Sequence, residues 1–218
     1  HNMKKTKFLI LGLLILQLNF SCKTHYSKAE LNNNFTSEQI DDLKKITEFF
    51  REQMCLGMES DFKTCYERTP HEYLKAIGKG FWTNINFDEQ KKLYNQISES
   101  TFNEIWTFCE TTHNYPNKTK TKEICIVYNG KYQKFLADLG NSNPRIAEYH
   151  KRIQAKGHSW MDIQHRDVLK KSKKYFDLND PNIQLILAIH YLTMNDQESR
   201  NRKIREKALE YLNNKRRE

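Results

Sequence analysis

From Thr36 to Leu212, apolar residues return every three or four positions, the spacing of helices that bury one face. Ile40, Leu43, Ile46, Phe50 and Met54 form the first stripe, with Phe49 beside them. It opens on Thr36-Ser37-Glu38-Gln39, the order of a capping box, and predicts a helix from Thr36 to about Cys55. Thr69-Pro70 with Glu72 starts a second helix, since threonine caps and proline suits the first helical position. Tyr73, Leu74 and Ile77 face inward, and Gly78 and Gly80 end it. Asn86 opens a third, longer stripe through Leu93, Tyr94, Ile97, Thr101, Ile105 and Phe108 to Cys109. A fourth helix is expected from about Glu123 to Leu139, with Gly140 as its cap. Ile124 to Tyr128, followed by Asn129-Gly130, also reads as a strand and turn, but the helix is preferred. Asn143-Pro144 opens a fifth helix that Gly157 ends, and a sixth is expected from Ser159 to Phe176. Asp180-Pro181 opens a seventh, to Met194, apolar on nearly every side and therefore central in the core. The last is expected from Glu198 to Asn214.

Composition supports this reading. Only 7 Gly and 4 Pro stand in 218 residues, which favours long helices over a β-sandwich. The expected fold is all-α, one domain of about seven or eight antiparallel helices over residues 36–218. Asp180 to Leu212 has the length of a tetratricopeptide-like helix pair, but the characteristic positions of that repeat are absent.

The first residues follow a different pattern. Lys4, Lys5 and Lys7 precede an apolar run from Phe8 to Leu16, and no acid occurs before Glu30. A basic start and a short apolar stretch are the anatomy of a secretory signal, too short for a membrane span of about 20 residues. Cys22 follows, preceded by Ser21. This resembles the lipobox of bacterial lipoproteins, although Asn19 stands where that family has leucine and bulky Phe20 precedes Ser21. The resemblance implies cleavage before Cys22, acylation of its thiol, and a location in the cell envelope facing the periplasm or cell surface. Residues 1–22 are then the signal peptide, and polar, Asn-rich residues 23–35 a flexible tether.

Export changes the meaning of the net charge of +9. Nucleic acid is not an expected partner. A membrane reached through lipid on Cys22, an envelope protein or an anionic surface is. The basic residues concentrate in Asn117 to Lys122 and in the C-terminal helix, at Arg200, Arg202, Lys203, Arg205, Lys207, Lys215, Arg216 and Arg217. The four further cysteines, Cys55, Cys65, Cys109 and Cys125, suggest two disulfides in an exported chain. Three pairings are possible. Cys55–Cys65 and Cys109–Cys125 are favoured, because each brackets one inter-helix loop.

Candidate chemistry gathers in the C-terminal half. On a helix, His158, Asp162 and His165 would share one face, and His190 lies inward on the next helix. Two imidazoles and a carboxylate can bind a divalent transition metal. Against that, a single histidine on an apolar face is ordinarily satisfied within the core, and a helix that begins only after His158 removes the shared face. There is no His-Glu-x-x-His, Gly-rich phosphate loop or Gly-x-Ser-x-Gly elbow. No catalytic residue and no required cofactor is assigned. The expected role is a non-enzymatic, lipid-anchored binding or assembly module. The alternatives are a metal-dependent enzyme using the His/Asp cluster and an envelope immunity or inhibitor protein.

Overall fold

The computed structural model describes residues 29–58, 60–77, 80, 82, 85–114, 117–158 and 163–217. The expected signal peptide, residues 1–22, and Cys22 with it lie outside them. A short helix α1 (Ala29–Asn34) leads into α2 (Ser37–Cys55), α3 (Phe62–Arg68), α4 (His71–Ala76), α5 (Phe87–Gln96) and α6 (Glu99–Ile105). Two strands follow, β1 (Trp106–His113) and β2 (Thr119–Ile126). The chain continues through α7 (Lys131–Gly140), α8 (Pro144–Lys156), α9 (His165–Leu169), α10 (Ser172–Tyr175) and α11 (Pro181–Lys215).

Several helix starts form as their capping chemistry requires. Thr36 and Gln39 close a reciprocal capping box at α2. Asn86, Asn143 and Asp180 each accept backbone N–H bonds at the heads of α5, α8 and α11, and a proline opens each of the latter two helices. The expected third helix is broken at Ile97, because Ser98 caps a new one at Thr101. Part of the expected tether is ordered: residues 29–34 are helical, and Leu31 and Phe35 are buried.

The all-α expectation is overturned by an antiparallel hairpin in which Trp106 faces Ile126 and His113 faces Thr119. Trp106-Thr107-Phe108 and Ile124-Cys125-Ile126 are β-branched, aromatic and small residues, at ease on a pleated surface. Tertiary bonds complete the preference. On α11, Asp196 accepts the Ile124 N–H at 3.1 Å, and Gln197 donates to the Ile124 carbonyl at 3.0 Å. Backbone groups at this edge of the sheet are thus satisfied by helix side chains. The fourth helix starts at Lys131, eight residues later than expected at Glu123, and Gly130 precedes it. A Cβ at Gly130 would stand 2.3 Å from the Glu104 carbonyl oxygen, so only glycine fits that approach.

The structure pairs Cys55 with Cys65 and Cys109 with Cys125. The second bond crosses the hairpin diagonally, since Cys109 stands opposite Glu123. The expected sixth helix is replaced by α9 and α10, with non-helical Ile163 and Gln164 ahead of them. The seventh and eighth merge into the single 35-residue α11. Its first half is the spine of the core. Leu185, Ile186, Leu187, Ala188, Ile189 and Leu192 are fully buried there, and α2, α5 and β2 pack against it. Trp106 joins this core and donates its indole N–H to Thr193 at 2.9 Å.

Candidate functional site

Within that core lies a cluster of buried histidine and tyrosine. His190 is fully buried on α11, and Tyr149 is buried on α8. The chain leaves α8 at Gly157, whose φ of 73° and ψ of −167° are open essentially to glycine alone. This turn returns His158 to the end of α8. The Tyr149 hydroxyl stands 3.2 Å from His190 Nδ1 and 3.1 Å from His158 Nε2. The two imidazole rings meet edge to face, 5.2 Å between centroids.

One proton constrains this group. The Tyr149 hydroxyl can donate to only one of the two rings, so at least one ring must donate to it. Burial drives the His158 pKa down to about 3, and burial together with the nearby His158 holds His190 well below the ordinary imidazole value. Both rings are therefore neutral at pH 7, each with one N–H. A ring that donates to Tyr149 carries a lone pair on its other nitrogen. His158 Nδ1 and His190 Nε2 are shut off from solvent and find no hydrogen-bond partner among the described residues. Among the described residues, at least one imidazole lone pair of this cluster therefore has no donor facing it.

Aromatic rings enclose the group. The His190 ring meets Tyr191 edge to face at 4.9 Å, and Tyr191 stacks on Phe50 and on Trp82 at 5.9 and 5.7 Å. The Tyr191 and Tyr66 hydroxyls are 3.2 Å apart, and burial raises the pKa of both, so both phenols stay protonated. Trp82 is half-buried against this cluster, a plug over the core rather than an exposed anchor.

Of the four metal candidates, the structure brings His158 and His190 together. No continuous helix runs from His158 to His165, since Ile163 and Gln164 are non-helical and helix α9 begins only at His165. Asp162, and the side chain of His165, lie outside what is described. Sequence periodicity places Tyr149 only as a core residue. Its bridging role depends on α8 being placed so that Tyr149 reaches His190 of α11, which no local spacing reveals.

Two other places carry polar groups. Cys109, Glu123 and Cys125 bring donor atoms within 4.8 Å of one another, but both sulfurs are joined in the disulfide. Glu123 is occupied by the Thr111 hydroxyl and the Asn201 amide. An open cleft of 540 Å³ lies between the head of α2, α6 and α7. Lys131 in it donates to Gln39 at 2.8 Å and lies 4.0 Å from Glu104. No known protein family, curated protein or solved structure matches the chain.

Proposed function

We propose that this chain is an exported, lipid-anchored protein of the bacterial cell envelope, and that its folded part is a binding or assembly module. The observation that carries the reading is the agreement between the basic-then-apolar start ending at Cys22 and the two disulfides. Bonds of that kind persist in oxidising compartments and are rare in the cytosol. The placement of His190 agrees with it. His190, fully buried among aromatic rings, serves packing and polar satisfaction, whereas a catalyst must meet its substrate.

The test is acylation in a bacterial host. The full chain is expressed beside a Cys22→Ser variant and grown with labelled palmitate. The wild type is expected to carry label and to fractionate with membranes, and the variant to carry none. Unlabelled wild type that retains its first residues would overturn the anchor. Capture of cross-linked envelope neighbours by the anchored chain then tests the binding role.

The imidazole lone pair of this cluster favours a second reading, a buried site for a divalent transition metal on His158 and His190. Neutral imidazole is the ligand form, and a tyrosine hydroxyl stands beside it. Metal content per chain, in protein made under oxidising conditions without chelator or histidine tag, decides it. About one metal per chain, lost in His190→Ala, would replace the first reading of these residues. Metal-free protein would leave them as a polar element of the core.

A further inference from the structure

Beyond Asn201, α11 leaves the body of the protein. Of the side chains from Arg202 to Arg217, only Ile204 and Ala208 are even half-buried. Leu209, Tyr211 and Leu212 are 61, 37 and 44 % exposed, a dense apolar group for an open surface. At about 100° per residue, Ile204, Ala208, Tyr211 and Leu212 share one face of the helix. Arg205 and Arg216 border that face on one side, with Leu209 just beyond them, and Lys207 borders it on the other. Lys215 falls within the face, its ammonium 5.7 Å over the Tyr211 ring. Glu206 and Glu210 fall on the opposite face. The stretch holds seven basic residues against these two acidic ones.

That order of faces has a physical meaning. In a lipid interface, apolar side chains enter the boundary between headgroups and acyl chains. Lysine and arginine stems run along the same boundary and lift their charges to the phosphates, and carboxylates point to water. Arg205, Lys207, Lys215 and Arg216 lie on or beside the apolar face, while Glu206 and Glu210 offset Arg202 and Lys203 on the far side, so the net positive charge accompanies the apolar face and complements an anionic membrane there. Helix α11 begins at the other end of the molecule, where Asn182 donates to Glu30 of α1 at 3.2 Å. The hairpin tip adds charge at the free end. His113 bonds Asn201 at 2.8 Å, which sets the tip, with exposed Lys118, beside the start of this stretch.

We propose that the segment Arg202–Arg217 of α11 binds the surface of anionic phospholipid membranes. The proposal deepens the anchored-envelope reading by naming a second membrane contact, and it rests on that reading only for its setting. About 30 Å of helix separates Asn182 from Arg202. This segment is therefore a contact separate from the place where α1, and the chain that leads to it from Cys22, meets α11.

The experiment uses the unacylated chain from Lys23 onward, which retains every described element, so that lipid on Cys22 plays no part. Cosedimentation is measured with vesicles of phosphatidylcholine alone and of phosphatidylcholine mixed with phosphatidylglycerol. Binding to the mixed vesicles, weakened by added salt and weak on the neutral ones, is expected. Lys207→Gln with Arg216→Gln should reduce it about twenty-fivefold, from roughly fivefold per basic residue near an anionic surface. Tyr211→Ser with Leu212→Ser should reduce it about tenfold, and both pairs change exposed side chains that the core does not use. Equal affinity for neutral vesicles, no binding, or binding unchanged in both variants would overturn the proposal. So would equal binding to soluble polyglutamate that the apolar pair does not affect, which would mark an acidic protein surface as the partner. Failure of palmitate labelling on Cys22 leaves this result untouched, so the two readings fail separately.

Discussion

Two residues show how much of the fold turns on backbone sterics. Leu56 closes α2 with φ of 52° and ψ of 40°, a left-handed conformation in which a leucine Cβ crowds the following carbonyl. Its side chain is 75 % exposed, so little burial offsets the strain. Leu56→Gly relieves the crowding, at the cost of some unfolded-state entropy, and should raise stability by about 0.5–1 kcal/mol. A shift of the urea midpoint to higher concentration at unchanged slope would show it. Gly157 presents the opposite case. Its conformation admits essentially no side chain, so Gly157→Ala should cost about 2 kcal/mol. Because the turn also places His158, the variant should loosen the contact with Tyr149, seen as a change in the His158 ring resonances. A thermal midpoint equal to that of the wild type would show that this turn is not the constraint on the ring.

At the scale of elements, the sequence is legible where capping chemistry is local and fails where polar residues are buried by distant partners. Thr36, Asn86, Asn143-Pro144 and Asp180-Pro181 mark true helix starts, since each cap is completed within three residues. The break expected inside α11, after Met194, does not occur. Asn195 and Asp196 look like loop residues because they are polar, yet both are fully buried and bonded across the fold. Asn195 donates to Gln90 at 2.8 Å. Asp196 accepts from the Ile124 N–H, from the Tyr94 hydroxyl at 3.1 Å and from Arg200 at 2.7 Å. The same bonds hold the hairpin, so the missed strands and the missed helix continuity have one cause. Removing that carboxylate strands three donors. Asp196→Ala should therefore cost about 3 kcal/mol, more than the roughly 1 kcal/mol typical of point substitutions, and should weaken hydrogen-exchange protection of Ile124 first. Protection at Ile124 equal to that of the wild type would remove Asp196 as the clasp. The histidine pair follows the same rule. His158 and His190 are visible as candidates from their types, but their meeting through Tyr149 depends on the Gly157 turn and on the packing of α8 against the core.

Across the whole molecule, the buried ionisable groups make stability depend on acid in two stages. Above about pH 6.5 the histidines are neutral in both the folded and unfolded chain, and they impose no pH dependence. Below it the unfolded chain takes up protons that the folded chain refuses, because burial holds His158 at about 3 and holds His190 well below 6.5. Stability should then fall as pH drops, with a slope approaching about 1.4 kcal/mol per pH unit for each of these rings. Half-buried His150, also lowered by burial, adds to it. Asp42 enters later. Burial pushes its pKa up, but bonds from Lys45, from the Ser98 backbone and hydroxyl, and from the Thr101 hydroxyl outweigh burial and hold it at about 2. Its contribution is complete above about pH 4 and is lost as pH falls toward 2, when the folded carboxylate must take a proton. Urea unfolding at about pH 7.5, 6 and 5 separates the stages. The midpoint should decline across this range in the wild type and decline less in His158→Gln, by roughly half to two thirds as much, because one of the three titrating rings is removed. Asp42→Asn should lower stability at all three values while leaving the slope between them unchanged. A wild-type midpoint that stays level from pH 7.5 to 5 would mean that water or an open path reaches these rings, and the closed histidine core would have to be abandoned.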